Sequence, residues 1–148
     1  MCLRCSTPPG YATVDSVRPS DPEHGEIVII HSAALVASPL PVPPTATFEY
    51  ICLQLSSEER SVVLLSIYIP GSQRATGVFF EELATVQSVL ITLRRPVVAG
   101  GDITIHVDDH GDHEAVKLAD LLLTYDPVQH VTKPTRARSH SRPCDHRL

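Results

Sequence analysis

The chain has 148 residues, 43% of them hydrophobic, which is enough for one buried core and too little for two full domains. Its formal charge of −5 hides an asymmetry, because residues 128–148 carry Lys133, Arg136, Arg138, Arg142 and Arg147 against one acid, Asp145. No apolar run reaches the roughly 18 residues of a membrane span, residues 1–10 lack the apolar core of a signal peptide, and the Cys2/Cys5 pair has no second pair at zinc spacing. The expectation is a soluble intracellular chain, nuclear or cytoplasmic, with reduced thiols and no membrane contact.

Residues 1–24 are rich in Pro, Ser and Thr without a sustained period, which predicts an irregular segment with at most one short strand, near residues 11–14. Residues 26–31 form a β-branched run behind Gly25, the pattern of a strand buried on both faces. Pro39, Pro41, Pro43 and Pro44 then predict a surface connection over residues 38–47. Residues 48–55 alternate, with Ile51, Leu53 and Leu55 on one face and Phe48, Tyr50 and Cys52 on the other. A polar turn at residues 56–60 and a second strand at 61–69 complete an antiparallel hairpin.

From Thr76 the period changes. Phe79, Leu83, Val86, Leu90 and Leu93 line one face of a helix, with Thr76 as cap, Glu81 and Glu82 near its start, Arg94 and Arg95 near its end, and Pro96 as its stop. Residues 97–99 read as a buried strand, and Gly100-Gly101 as a sharp turn that leaves Asp102 just past its C-terminal end, where α/β sheets keep their chemistry. Residues 104–110 continue extended. Asp112 can cap a helix over residues 113–125, with Val116, Ala119, Leu122 and Leu123 as its apolar stripe. A short strand can follow at 128–131, after which the basic tail loses apolar periodicity and is expected to be disordered. The order strand, hairpin, helix, strand, helix fits an α/β sandwich whose sheet mixes antiparallel and parallel pairs.

Gly100-Gly101-Asp102-Ile103-Thr104-Ile105-His106-Val107-Asp108 resembles the Gly-Asp-Phe-Asn-Ile-His-Val-Asp segment of the endonuclease/exonuclease/phosphatase superfamily, specifically the apurinic-type endonuclease domains of non-LTR retrotransposons. The flanks are similar too: Pro8-Pro9-Gly10-Tyr11, Ser61-Val62-Val63-Leu64-Leu65, Ile67-Tyr68, Pro70-Gly71, Phe79-Phe80-Glu81-Glu82-Leu83, Leu118-Ala119-Asp120-Leu121-Leu122 and Val128-Gln129-His130-Val131-Thr132. The likeness spans residues 8–135.

The resemblance implies an α/β/β/α sandwich of two packed sheets, here incomplete, with residues 1–24 irregular, 25–132 a partial domain and 133–148 a tail. It also implies magnesium-dependent hydrolysis of a phosphodiester, with DNA as the partner and no small-molecule cofactor. Asp102 matches the aspartate that positions or activates the water, and Tyr68 the tyrosine that contacts the scissile phosphate. Thr104 stands where the family has asparagine, and its short hydroxyl replaces both an amide donor and a carbonyl acceptor. The family's metal glutamate is expected upstream of Met1 and its terminal Ser-Asp-His beyond Leu148, so the metal ligands here are unknown.

Each residue also has a plainer reading. Tyr68 can be a packing residue. His106, Asp108, Asp109, His110, Asp112 and His113 suit a solvated acidic loop better than a metal cluster, and Glu49 suits the outward face of a hairpin strand. Two functions stay open: a fragment of a DNA endonuclease domain, inactive as this chain, and a non-catalytic transposon-derived remnant with weak nucleic-acid binding through the tail. The unpaired strands of an incomplete sandwich, expected at residues 27–30 and 62–67, predict self-association.

Overall fold

A computed structural model describes residues 7–17, 26–70, 75–103, 105 and 113–123. They fall into two units, Met1–Ile105 and His106–Leu148, and each is described by itself. The expected structure of residues 104, 106–112 and 124–148, the tail included, lies outside the described residues.

In the first unit, β1 (Tyr11–Val17) pairs antiparallel with β2 (Glu26–Ser32), in register from Tyr11↔Ser32 to Val17↔Glu26. The strand expected near residues 11–14 therefore runs on to Val17. β2 turns Ile27, Ile29 and His31 inward, whereas Ile30 is 54% exposed, so the run is buried on one face and not on both. The reason is that a two-stranded sheet covers itself on one side only, against the second sheet.

The second sheet has the order β3-β4-β5-β6. β3 (Val36–Pro39) pairs antiparallel with β4 (Glu49–Ser56), so Ser38 and Pro39 belong to a strand and the surface connection starts later than the prolines suggest. Pro39 is tolerated because β3 is an edge strand. β4 and β5 (Ser61–Tyr68) form the expected hairpin, closed by Ser57 N–H donating to the Arg60 carbonyl at 2.8 Å.

The hairpin uses both of its faces. Ile51 and Leu53 meet Ile27 and Ile29 of the first sheet, with Val14, Leu64 and Tyr68 packed around them. On the opposite face, Val63, Leu65, Ile67 and Ile69 are buried, and Phe48 meets Phe79 edge-on with ring centroids 5.3 Å apart. Phe79 belongs to α1 (Gly77–Thr92), whose buried residues Phe79, Leu83, Val86 and Leu90 follow the expected stripe. Helix, four-stranded sheet and two-stranded sheet thus stack in that order, a mixed α/β arrangement compatible with an α/β sandwich.

The ends of α1 differ from expectation. Thr76 is the N-cap residue, but its side chain makes no capping bond, and no acid lies in the first turn. Glu82 sits one turn further in and reaches sideways, accepting from Ala46 N–H at 2.9 Å, Thr47 N–H at 3.1 Å and the Thr47 hydroxyl at 2.6 Å. The helix ends before Pro96 is reached: Leu93 is the C-cap, and Arg94 leaves it at φ 51. Arg95 lies beyond the last turn and donates to Ser61 Oγ at 3.0 Å.

β6 (Val97–Asp102) is parallel to β5, in register from Val63↔Val97 to Tyr68↔Asp102. It is an edge strand among the described residues, and all six of its residues are exposed, which corrects the expectation of a buried strand at residues 97–99. Residues 62–67 have no open edge, because β4 and β6 flank them, whereas β2, with residues 27–30, pairs with β1 alone and keeps an open edge among the described residues, as β6 does. Nor do the two glycines make a turn, because both lie within the strand. Gly101, at φ 148, passes so close to β5 that a Cβ would come 1.8 Å from the Ile67 carbonyl oxygen, which excludes every other residue without movement of the backbone.

The second unit contains α2 (His113–Leu123), with Glu114 in its first turn. Ala115 and Leu118 are buried and Val116 is 46% exposed, so the apolar stripe is rotated from the one expected through Val116 and Ala119. No helix among the described residues is long and apolar enough to cross a membrane.

Candidate functional site

The parallel pairing of β5 and β6 brings two of the sequence-selected residues together. Tyr68 and Asp102 are register partners at the C-terminal ends of adjacent strands, so their side chains leave the same face of the sheet. The pairing continues one step past them, where Ile69 N–H donates to the Asp102 carbonyl at 3.0 Å and holds the two strand ends level. Residue type sets how each is presented. The Tyr68 ring packs against the inter-sheet cluster of Ile27, Ile29, Ile51 and Leu53, while Asp102 is exposed at the rim. The packing role read from the pattern of Tyr68 is therefore real.

The expectation sets Glu49 on the outward face of its strand, yet by alternation it shares the face of Ile51 and Leu53, which packs against the first sheet. It is the register partner of Tyr68 on the other side, and it is half-buried, so Glu49, Tyr68 and Asp102 form a row across β4, β5 and β6. Counting from the hairpin turn gives the signal that could have found it, since Ser56↔Ser61 pairing leads directly to Glu49↔Tyr68. Chemically the row offers two carboxylates flanking a phenol at one rim. Strand spacing puts their backbones about 10 Å apart, and among the described residues no three His, Cys, Asp or Glu side chains are grouped to hold a metal ion.

Thr104, His106, Asp108, Asp109, His110 and Asp112 lie outside the described residues, and His113 is the exposed first residue of α2. An open hollow of about 410 Å³ lies at the opposite end of β5, lined by Leu35, Leu55, Ser57, Arg60, Ser61, Val62 and Pro96. It is mostly apolar and shares no residue with the rim.

Three ionisable groups away from the rim, Cys52, Tyr50 and Glu82, are structural. Burial pushes the Cys52 thiol up, which makes it a poor nucleophile at neutral pH. Burial, and then the nearby Cys52, also raise Tyr50, whose hydroxyl donates to the Val42 carbonyl at 3.0 Å and the Pro43 carbonyl at 3.3 Å. For Glu82, burial alone would raise the carboxyl, but the Thr47 hydroxyl and the amides of Ala46 and Thr47 together outweigh it and hold it below the ordinary carboxylate range.

Over 94 residues, 64% of this chain, the sequence is 32% identical to the RNA-directed DNA polymerase from mobile element jockey of Drosophila funebris. The match covers 10% of that protein, so the chain spans about a tenth of the length of this curated relative. The similarity supports a mobile-element origin. No family model matches the chain. No solved structure matches it.

Proposed function

We propose that this chain is a fragment of the DNA endonuclease domain of a non-LTR retrotransposon, a domain that hydrolyses phosphodiesters with a divalent cation, and that the chain is inactive by itself. The observation that supports the reading is the register pairing of Tyr68 with Asp102 at the C-terminal ends of adjacent parallel strands, the two residues that the resemblance casts as the phosphate contact and the water-orienting carboxylate. Similarity to the mobile-element polymerase supports the origin.

The described residues do not make a magnesium site on their own. The ion asks for near-octahedral oxygen ligands, and the described rim offers Asp102 with Glu49 two strands away. Thr104, in place of asparagine, removes the amide that would hold the phosphate, and this favours the second reading, a non-catalytic remnant that binds DNA weakly through the basic tail.

Removing one preorganised donor from such a site costs about a hundred- to a thousand-fold in rate. A plasmid-nicking assay with magnesium should therefore show no turnover above background, for the wild-type chain and for Asp102→Ala alike. Nicking by the wild type that disappears in Asp102→Ala would show that the groups present suffice, and the inactive assignment would fall.

A further inference from the structure

We propose that residues 40–44, Leu-Pro-Val-Pro-Pro, are a docking segment for a partner protein domain that receives a polyproline II helix in an aromatic, uncharged groove. Proline chemistry sets the conformation. The rings of Pro41, Pro43 and Pro44 hold φ near about −65°, and Leu40, Val42 and Pro43, each preceding a proline, are pushed to extended ψ. No described peptide bond is cis, and the segment belongs to no strand or helix. Successive residues of that kind wind into a left-handed helix of about three residues per turn, which puts Pro41 and Pro44 on one ridge. Both are exposed, whereas Leu40, Val42 and Pro43 are half-buried.

Contacts within the chain hold that ridge outward. Leu40 N–H donates to the Cys52 carbonyl at 3.0 Å, which fastens the start of the segment to β4. The Tyr50 hydroxyl reaches the carbonyls of Val42 and Pro43, the half-buried residues, and leaves those of the ridge prolines alone. Beyond Pro44, the Glu82 carboxylate takes the N–H groups of Ala46 and Thr47. A partner therefore meets a segment already held in the conformation it would bind, and little ordering cost is left to the encounter.

Two observations select the occupant. First, residues 41, 43 and 44 carry no N–H, so no β-strand, from this chain or another, can extend the sheet along them. What is left to recognise is the ring faces of Pro41 and Pro44, and an aromatic groove shaped for polyproline II stacks against such a ridge. Second, residues 32–59 include no lysine or arginine. A groove that adds an acidic patch to pair with a basic residue beside its prolines has nothing to meet here, so the fitting groove is neutral.

The probe is an EVH1 domain, whose polyproline groove is aromatic and asks for no basic residue in its ligand, with an SH3 domain carrying an acidic patch for comparison. The chain has no tryptophan, so the fluorescence of the groove tryptophan reports binding of the full chain directly. A saturable change is expected with the EVH1 domain as the chain is raised to about 500 μM, and binding to the SH3 domain should be at least about tenfold weaker. Replacing the ridge with Pro41→Ala and Pro44→Ala together should weaken EVH1 binding at least about tenfold, whereas Pro39→Ala, equally exposed but off the ridge, should stay within about twofold of wild type. All three positions are exposed, and equal urea midpoints for the variants and the wild type show that the fold is kept. No saturable change with the EVH1 domain, tighter binding to the SH3 domain, or an equal loss from Pro39→Ala would overturn the proposal.

Discussion

Gly101 is where one residue has the most structural influence. At φ 148, with the Ile67 carbonyl oxygen 1.8 Å from where a methyl would sit, there is no room for alanine without parting β6 from β5. Gly101→Ala should cost about 1–3 kcal/mol from the backbone conformation, with the steric clash in addition. Gly100→Ala, in open space, should stay within about 0.5 kcal/mol of wild type. Urea midpoints of the two variants check this: equal loss at both positions would mean that the close approach is not what matters. The glycine pair was visible in the sequence, but not its purpose. A Gly-Gly step reads as a turn, and only a neighbouring strand reveals it as a contact.

Between elements, Glu82 does for α1 what a cap would do for its end: it ties the helix to the connection before β4 through three hydrogen bonds. Its carboxyl is held below the ordinary range when folded, so its contribution is complete above the unfolded value and is lost as pH falls through the folded one. The difference in melting temperature between wild type and Glu82→Gln should accordingly be largest near neutral pH and shrink below the ordinary carboxylate range. A difference independent of pH would remove the carboxylate from that role. Helix and hairpin were legible because their periods are long and clean, Phe79 to Leu90 at helical spacing and Ile51 to Leu55 alternating. β3 was hidden because proline argues against strands except at edges, and edges are set by neighbours. β6 looked buried because Val97 and Val98 are apolar whether or not anything covers them.

For the whole molecule, the candidate site was legible in part. Tyr68 ends an apolar strand and Asp102 follows another, and a helix between two strands implies a parallel crossover that sets their C-terminal ends side by side. Glu49 was missed because alternation gives a face and not a row; the row needs the register. The crossover also orders events in time. β4 finds β5 across a tight turn, whereas β6 can reach β5 only after the chain has traversed all of α1, and distant pairings form late. Asp102 therefore meets Tyr68 at the end of folding, not the beginning. Pulse-labelled hydrogen exchange during refolding should find β4 and β5 amides protected before those of Val98 and Gly100; the reverse order would contradict it. A chain released early, or one that stalls, would then hold a formed hairpin and no assembled rim.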